Sequence, residues 1–150
     1  MTEEFEMVVS PQACVSFELK NNLSELSTLS EHLERMGDAL GVSRRSLFEV
    51  NLAMDELFTN IISYGFADQS EHTIRVSISV ENNLLTVVLE DDGIPFNPLG
   101  RLPVEIPRTL GECKVGGLGI HLVKNLMDEV IYCRCGNNNR LTLRKKIEKS

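Results

Sequence analysis

Apolar and polar residues alternate along the first clearly patterned segment, residues 15–20 (VSFELK), as in a strand with one solvated face. Apolar residues then recur every three or four positions, which predicts two helices. Asn22 and Ser43 are suited to cap their first turns, and Gly41 and Gly65 follow their last turns. The stripe predicted to be buried comprises Leu23, Leu26, Leu29, Leu33, Met36 and Leu40 in the first helix, and Leu47, Val50, Met54, Leu57 and Ile61 in the second.

The second half of the chain is predicted to form two hairpins with a loop and a helix between them. Strands are expected over residues 73–80 and 84–90, and again over 130–135 and 140–147. Residues 97–115 hold three prolines and two glycines, and a loop this long is usually functional. Residues 120–127 have helical spacing. Because strands and helices segregate, we expect one α+β domain over residues 1–150, with a mixed, mostly antiparallel sheet covered on one face by helices.

Composition narrows the function classes. The net charge of −7 argues against a nucleic-acid partner. No apolar run reaches the ~20 residues of a membrane span, and the acidic start does not resemble an export signal, so a cytoplasmic location is expected. Cys133 and Cys135 should share one face of a strand; a metal site remains open, but reduced thiols are favoured. His32 is expected at the surface.

Glu56 and Asn60 lie four residues apart on the second helix, one above the other. An amide oxygen at Asn60 suits Mg²⁺, and a carboxylate at Glu56 could take a proton from a hydroxyl that attacks a phosphate. The alternative is an ordinary solvated face of an amphipathic helix.

Two further clusters contain turn residues. Asp91, Gly93 and Pro95 follow a strand, where the carboxylate could accept from an exocyclic amine and Gly93 could let a flat ring approach; a plain turn is the alternative. The run Gly116-Gly117-Leu118-Gly119 opens a helix, so its backbone N–H groups could face an anion. The alternative there is a flexible hinge.

The three clusters in this order resemble the GHKL superfamily, which includes gyrase, Hsp90, histidine kinases and MutL. Residues 53–66 (AMDELFTNIISYGF) resemble the N box of anti-sigma-factor serine kinases. Residues 89–98 (LEDDGIPFNP) resemble the G1 box, and residues 116–123 (GGLGIHLV) the G2 box. The closing RLTLRKK, residues 140–146, is similar to the last strand of that ATP-binding fold. The resemblance covers residues 17–146.

The resemblance implies a role for each matching residue. Glu56 would be the catalytic base and Asn60 the Mg²⁺ ligand, while Asp91 would bind the adenine amine above Gly93. Pro95 replaces the second glycine of the usual D-x-G-x-G, and Val115 stands where related kinases carry a lid arginine, with Lys114 the neighbouring cation. The other implied ATP contacts are Gly116, Gly117, Leu118, Gly119 and, through water, Thr142.

The implied function is an Mg-ATP-dependent protein-serine or -threonine kinase that acts as an anti-sigma factor. Its substrate would be a STAS-domain antagonist, and a sigma factor would be a second partner. Related kinases pair as homodimers, which the strand at residues 15–20 could mediate here. Because the lid arginine is missing, a non-catalytic module that binds a partner when nucleotide orders the lid is the alternative.

Overall fold

The computed structural model describes residues 14–100 and 115–147, with the side chains of residues 115–118 left out of the description. Predictions for residues 101–114, including Lys114, lie outside the described residues. Five strands and three helices follow one another along the described chain. In order they are β1 (Cys14–Lys20), α1 (Leu26–Leu40), α2 (Arg44–Tyr64), β2 (Thr73–Glu81), β3 (Leu84–Asp91), α3 (Val115–Leu126), β4 (Glu129–Cys135) and β5 (Asn138–Lys146).

The five strands form one sheet in the order β1-β2-β3-β5-β4. All four pairings between these described strands are antiparallel, which confirms the α+β class and the mostly antiparallel sheet; no described pair is parallel. Short turns join the strands of each hairpin, which favours antiparallel pairing. One row of partners crosses the sheet on its core face: Phe17, Val76, Leu89, Leu141 and Tyr132.

The helices cover one face of the sheet, as the segregated pattern predicts. The alternating strand residues and the helical stripes meet there in one core, whose fully buried members include Phe58, Leu33, Ile78 and Leu89. None of the described helices is both long enough and apolar enough to cross a membrane. No described helix covers the opposite face, called the open face below, which carries a polar row from Glu18 through Arg75, Glu90 and Arg140 to Cys133.

The ends of α1 and α2 follow from local sequence. Gly41 ends α1 in the left-handed conformation, with φ of 73°, which glycine adopts at no steric cost. The Ser43 side chain accepts a hydrogen bond from Ser46 N at 3.2 Å and so caps α2. Asn22 caps a 3-10 turn over Leu23–Glu25 that precedes α1. Leu23 therefore lies off the α1 stripe and is exposed, contrary to the prediction.

One other prediction is wrong. His32 is buried, with its ring edge-on to Phe17 at 4.3 Å between centroids. It shares a helix face with Leu29 and Met36, three before and four after it, and that face packs on β1.

The prediction that the glycine run opens a helix is confirmed. Helix α3 begins at Val115, so the run lies within its first turns.

Lys145 joins three elements at one end of the fold. Its Nζ donates to the carbonyl of Leu126 at the end of α3, at 2.6 Å, and lies 2.8 Å from a carboxylate oxygen of Glu49 on α2. The hydrogen bond from Lys145 to Glu49 lowers the pKa of Glu49, although burial opposes this shift. The C-terminal end of α3 is therefore held against α2 and β5, while its glycine-rich end lies near the candidate site.

Candidate functional site

Glu56 and Asn60 contact each other on the face of α2 that meets α3. Asn60 is 2% exposed, and its Nδ2 donates to Glu56 Oε2 at 2.9 Å. This bond fixes the orientation of the amide, and no described residue donates to Asn60 Oδ1. An amide oxygen that is held in place and accepts from no described residue is a suitable ligand for a hard cation such as Mg²⁺.

Gly119 of α3 lies directly against the Glu56 carboxyl group. A Cβ atom built on Gly119 would overlap the Cδ and both oxygens of Glu56. Only glycine therefore lets the start of α3 approach the carboxylate this closely. The fold thus brings the glycine run and the α2 pair together, although Glu56 and Gly119 are 63 positions apart in the sequence.

Asp91 is the last residue of β3 and is 6% exposed. Its Oδ1 accepts from Gly93 N at 2.8 Å and from Asn139 Nδ2 at 3.0 Å. Burial raises the pKa of Asp91, while these two hydrogen bonds partly oppose the shift by favouring the carboxylate. No described residue donates to Oδ2, which leaves this oxygen able to accept from a ligand.

Gly93 connects the end of α2 to the Asp91 turn. A Cβ atom on Gly93 would overlap the carbonyl oxygen of Gly65, the residue after α2, and Ile94 N donates to that same oxygen at 3.0 Å. The two backbones can pass this closely because Gly93 has no side chain. Pro95 is exposed on the outer side of the turn.

Asn139 is the centre of the Asp91 cluster, and sequence reasoning missed it. Besides bonding Asp91, its Nδ2 donates to Ile94 O at 2.8 Å, and its Oδ1 accepts from Phe96 N at 3.2 Å. The same oxygen also accepts from the Tyr132 hydroxyl and from Arg134 Nη1. Five hydrogen bonds on one buried amide fix the geometry of the turn.

A sequence signal for Asn139 existed in the alternation of β5. Leu141 and Leu143 face the core. Asn139 lies two positions before Leu141, so it belongs to the same face of the strand. The sequence-based strand begins at Arg140, which leaves Asn139 in the turn. A polar residue in the core-facing phase of a strand is the pattern that would have identified it.

The remaining predicted residues have different placements. Thr142 pairs with Val88 and Ile131 on the open face of the sheet, so the structure does not bring it to Asp91. The backbones of Gly116, Gly117 and Leu118 lie in the first turns of α3.

A histidine bridge holds the loop before β2 against the Asp91 turn. His72 Nε2 lies 2.8 Å from Asp68 Oδ1, and His72 Nδ1 lies 3.0 Å from Asp92 Oδ1. Phe66 stacks on the imidazole at 4.6 Å between centroids. The hydrogen bond to Asp68 is the main cause of a raised pKa at His72, and it also lowers the pKa of Asp68 from 3.8 to about 2.

We expect this bridge to make stability depend on pH. Its stabilisation is present above the ordinary pKa of Asp68, 3.8, and fades as pH falls towards 2. It is also present below the ordinary pKa of histidine, 6.5, and is lost as pH rises through the raised value. Urea unfolding should therefore show that His72→Gln destabilises the protein more at about pH 5.5 than at about pH 9. His121→Gln, at an exposed position of α3, is the control; an equal difference at both pH values would contradict the assignment.

A family model described as "Histidine kinase-like ATPase domain" matches residues 19–145 of the chain. The match runs from the end of β1 to the end of β5 and so includes the α2 pair, the Asp91 turn and the start of α3.

Several curated proteins are similar in sequence. "Serine/threonine-protein kinase BtrW" of Bordetella bronchiseptica is 28% identical over 67% of this chain and 71% of its own length. "Anti-sigma F factor" of Clostridium novyi is 22% identical over 73% and 77%. "Serine-protein kinase RsbW" of Listeria innocua is 28% identical, and the match covers 65% of each chain, just under two thirds.

A solved structure from Mycobacterium tuberculosis, described as "the RsbU and RsbW domains of Rv1364c", has a similar fold. The TM-score is 0.67 at 14% sequence identity, over 94% of this chain and 34% of that one. This chain thus spans about a third of the solved chain. At this identity the likeness shows the fold alone.

Proposed function

We propose that this chain, which belongs to the histidine kinase-like ATPase domain family, binds ATP with Mg²⁺ and transfers the γ-phosphate to a serine or threonine of a partner protein. The observation that supports this most is the contact between Glu56 and Gly119. It joins a carboxylate on α2 to the glycine-rich start of α3, where an anion is favoured.

The family match and the fold confirm the GHKL resemblance seen in the sequence. Three of the similar curated proteins are named as serine kinases or an anti-sigma factor. Those names describe the relatives, and the kinase activity of this chain is our inference from them together with the site.

Glu56 is the proposed base. The attacking serine hydroxyl gives its proton to the free carboxylate oxygen, Oε1, while Oε2 stays bonded to Asn60. The hydroxyl oxygen forms a bond to the γ-phosphorus, and the bond from that phosphorus to the bridging oxygen of ADP breaks. Asn60 Nδ2 thereby holds the base in place throughout the transfer.

Asn60 is the proposed metal ligand, through the Oδ1 atom that takes no donor from the described residues. A Mg²⁺ ion held there would supply positive charge that offsets the negative charge of the phosphates. The donor set fits this ion, because Mg²⁺ takes one or two protein oxygens and keeps several waters.

Asp91 is the proposed adenine contact, through Oδ2. Its other oxygen is held by Gly93 N and Asn139 Nδ2, so the carboxylate is positioned before the ligand arrives. A buried acceptor that is fixed in this way favours a base with an amine over one with a carbonyl. A carbonyl oxygen cannot donate, so neither it nor Asp91 Oδ2 would gain a hydrogen bond.

The proposed substrate is a STAS-domain antagonist, with a sigma factor as the second partner. Native mass spectrometry of the chain with Mg-ATP and a STAS-domain protein from the same genome tests this. We expect retained nucleotide, a complex, and one phosphate gained by the partner. A complex with nucleotide but no transfer would instead support the non-catalytic binding module, and absence of nucleotide would contradict the site.

Gly119→Ala should separate activity from stability. The added methyl group displaces the end of the flexible Glu56 side chain, while alanine suits a helix better than glycine by about 1 kcal/mol. Moving Glu56 from its preferred rotamer costs about 1 kcal/mol, or roughly fivefold to tenfold in transfer rate. We expect a chain that unfolds no earlier in urea but transfers phosphate more slowly. Gly37→Ala in α1, which meets only the Leu47 side chain, is the control.

A further inference from the structure

Two thiols lie in contact on the open face of the sheet. Cys133 and Cys135 are unpaired cysteines of β4, and their Sγ atoms are 3.1 Å apart. Cys133 is exposed and Cys135 is half-buried, so a small reagent can reach them. The proposed kinase chemistry uses neither residue.

The spacing of Cys133 and Cys135 permits a disulfide bond, but its formation strains strand β4. A disulfide needs the sulfurs about 2.05 Å apart and Cα atoms within about 6.8 Å. Residues two apart in a strand lie about 6.6–6.8 Å apart, at the upper end of that range. Closing the bond therefore shortens β4 locally. Strand β4 is at the edge of the described sheet and pairs with β5 alone, so it can buckle.

The residue between the two cysteines contacts the candidate site. Arg134 points to the opposite face of the strand, where its Nη1 donates to Gly93 O at 2.8 Å and to Asn139 Oδ1 at 3.2 Å. Its Nε donates to Gly136 O at 3.2 Å. Pulling residues 133 and 135 together moves the backbone that carries this guanidinium.

We propose that Cys133 and Cys135 form a reversible dithiol–disulfide site for low-molecular-weight disulfides, and that closing the bond withdraws Arg134 from the Gly93 carbonyl. The chemistry of bond formation is independent of the kinase proposal. The consequence for nucleotide binding rests on the proposed function, because Gly93 and Asp91 form the adenine contact there.

The reaction balances as two thiol–disulfide exchanges. The Cys133 thiolate attacks one sulfur of an oxidised small thiol such as glutathione disulfide, forms a mixed disulfide and releases one reduced thiol. The Cys135 thiol loses its proton, attacks Cys133 Sγ and releases the second reduced thiol. The protein loses two protons and two electrons, which together are two hydrogen atoms, and the small disulfide gains them.

The first test is chemical and uses the full chain with Cys14 and Cys113 replaced by serine. The hydrogen bond with Cys135 raises the pKa of Cys133, so the chain is incubated with glutathione disulfide at about pH 9.5, above the ordinary pKa of a thiol. We expect intact mass to fall by two hydrogens, a peptide that contains both cysteines to be linked internally, and dithiothreitol to restore the mass. Two stable glutathione adducts, a disulfide between two chains, or an unchanged mass would each overturn the site.

The second test follows the consequence by hydrogen exchange. In the oxidised chain we expect faster exchange at the amides of Ile94 and Phe96, which bond Gly65 O and Asn139 Oδ1 in the reduced structure. Arg134→Ala should reproduce this change, and Cys133→Ser treated with the same reagent should not show it. A formed disulfide with unchanged exchange at residues 93–96 would overturn the coupling.

Nucleotide affinity provides the third readout. Losing a charge-assisted hydrogen bond at Gly93 should raise the dissociation constant of ATP about tenfold on oxidation. If the reduced chain binds no ATP, the proposed function fails while the mass and exchange results still decide the redox site. If ATP binds equally to both forms, the proposed coupling to the nucleotide site is wrong.

Discussion

Replacing Glu56 with glutamine is expected to slow phosphate transfer by roughly 10²–10⁴-fold, the usual contribution of a general base. Glutamine has nearly the same shape, and its Oε1 can still accept from Asn60 Nδ2. It cannot take a proton from the attacking hydroxyl. ATP affinity should therefore stay within about twofold of wild type, because the change removes an interaction made in the transition state.

The measurement is the single-turnover rate of phosphate transfer to the partner, with the dissociation constant of ATP measured in parallel. Glu34→Gln makes the same chemical change at an exposed position of α1 and should leave both quantities unchanged. A Glu56→Gln chain that transfers phosphate at the wild-type rate would show that another group is the base.

Asp91→Asn should weaken ATP binding by about 10–100-fold, which corresponds to a charged hydrogen bond worth roughly 1.5–3 kcal/mol. The asparagine can keep its Oδ1 on Gly93 N and Asn139 Nδ2, so the turn should stay folded. Its Nδ2 then replaces the ligand-facing Oδ2. The adenine amine would meet a donor instead of an acceptor.

Calorimetric titration with ATP and with inosine triphosphate measures this change. The inosine base carries a carbonyl where adenine carries its amine, so Asp91→Asn should weaken its binding much less. Asp38→Asn, exposed on α1, is the matched control and should alter neither affinity. An equal loss for both nucleotides would mean that Asp91 maintains the turn rather than reads the base.

Local periodicity was enough to predict most of the fold. The α2 stripe, the caps at Ser43 and Gly41 and both hairpins depend on residues close in sequence, and the structure has them. The same spacing placed Glu56 above Asn60. The family resemblance depends on the order of the three boxes. The three together therefore indicate a family, which none of them does alone.

Long-range packing decided what the sequence did not predict. His32 is buried because β1 covers that face of α1, and a single histidine in a helical pattern carries no sign of its neighbour. The contact between Gly119 and Glu56 depends on how α3 crosses α2. Asn139 pairs with Asp91 across β3 and β5, and the prediction missed it because it began β5 two residues too late.

A single-turnover reaction with ATP labelled in its γ-phosphate, mixed with the chain and a STAS-domain protein from the same genome, tests the kinase proposal most directly. We predict that most of the label appears on a serine or threonine of the partner, and that Glu56→Gln slows this transfer by roughly 10²–10⁴-fold. Label released mainly as inorganic phosphate would instead indicate an ATPase. Label that stays in bound ATP while the partner is retained would contradict catalysis and support a nucleotide-gated binding module.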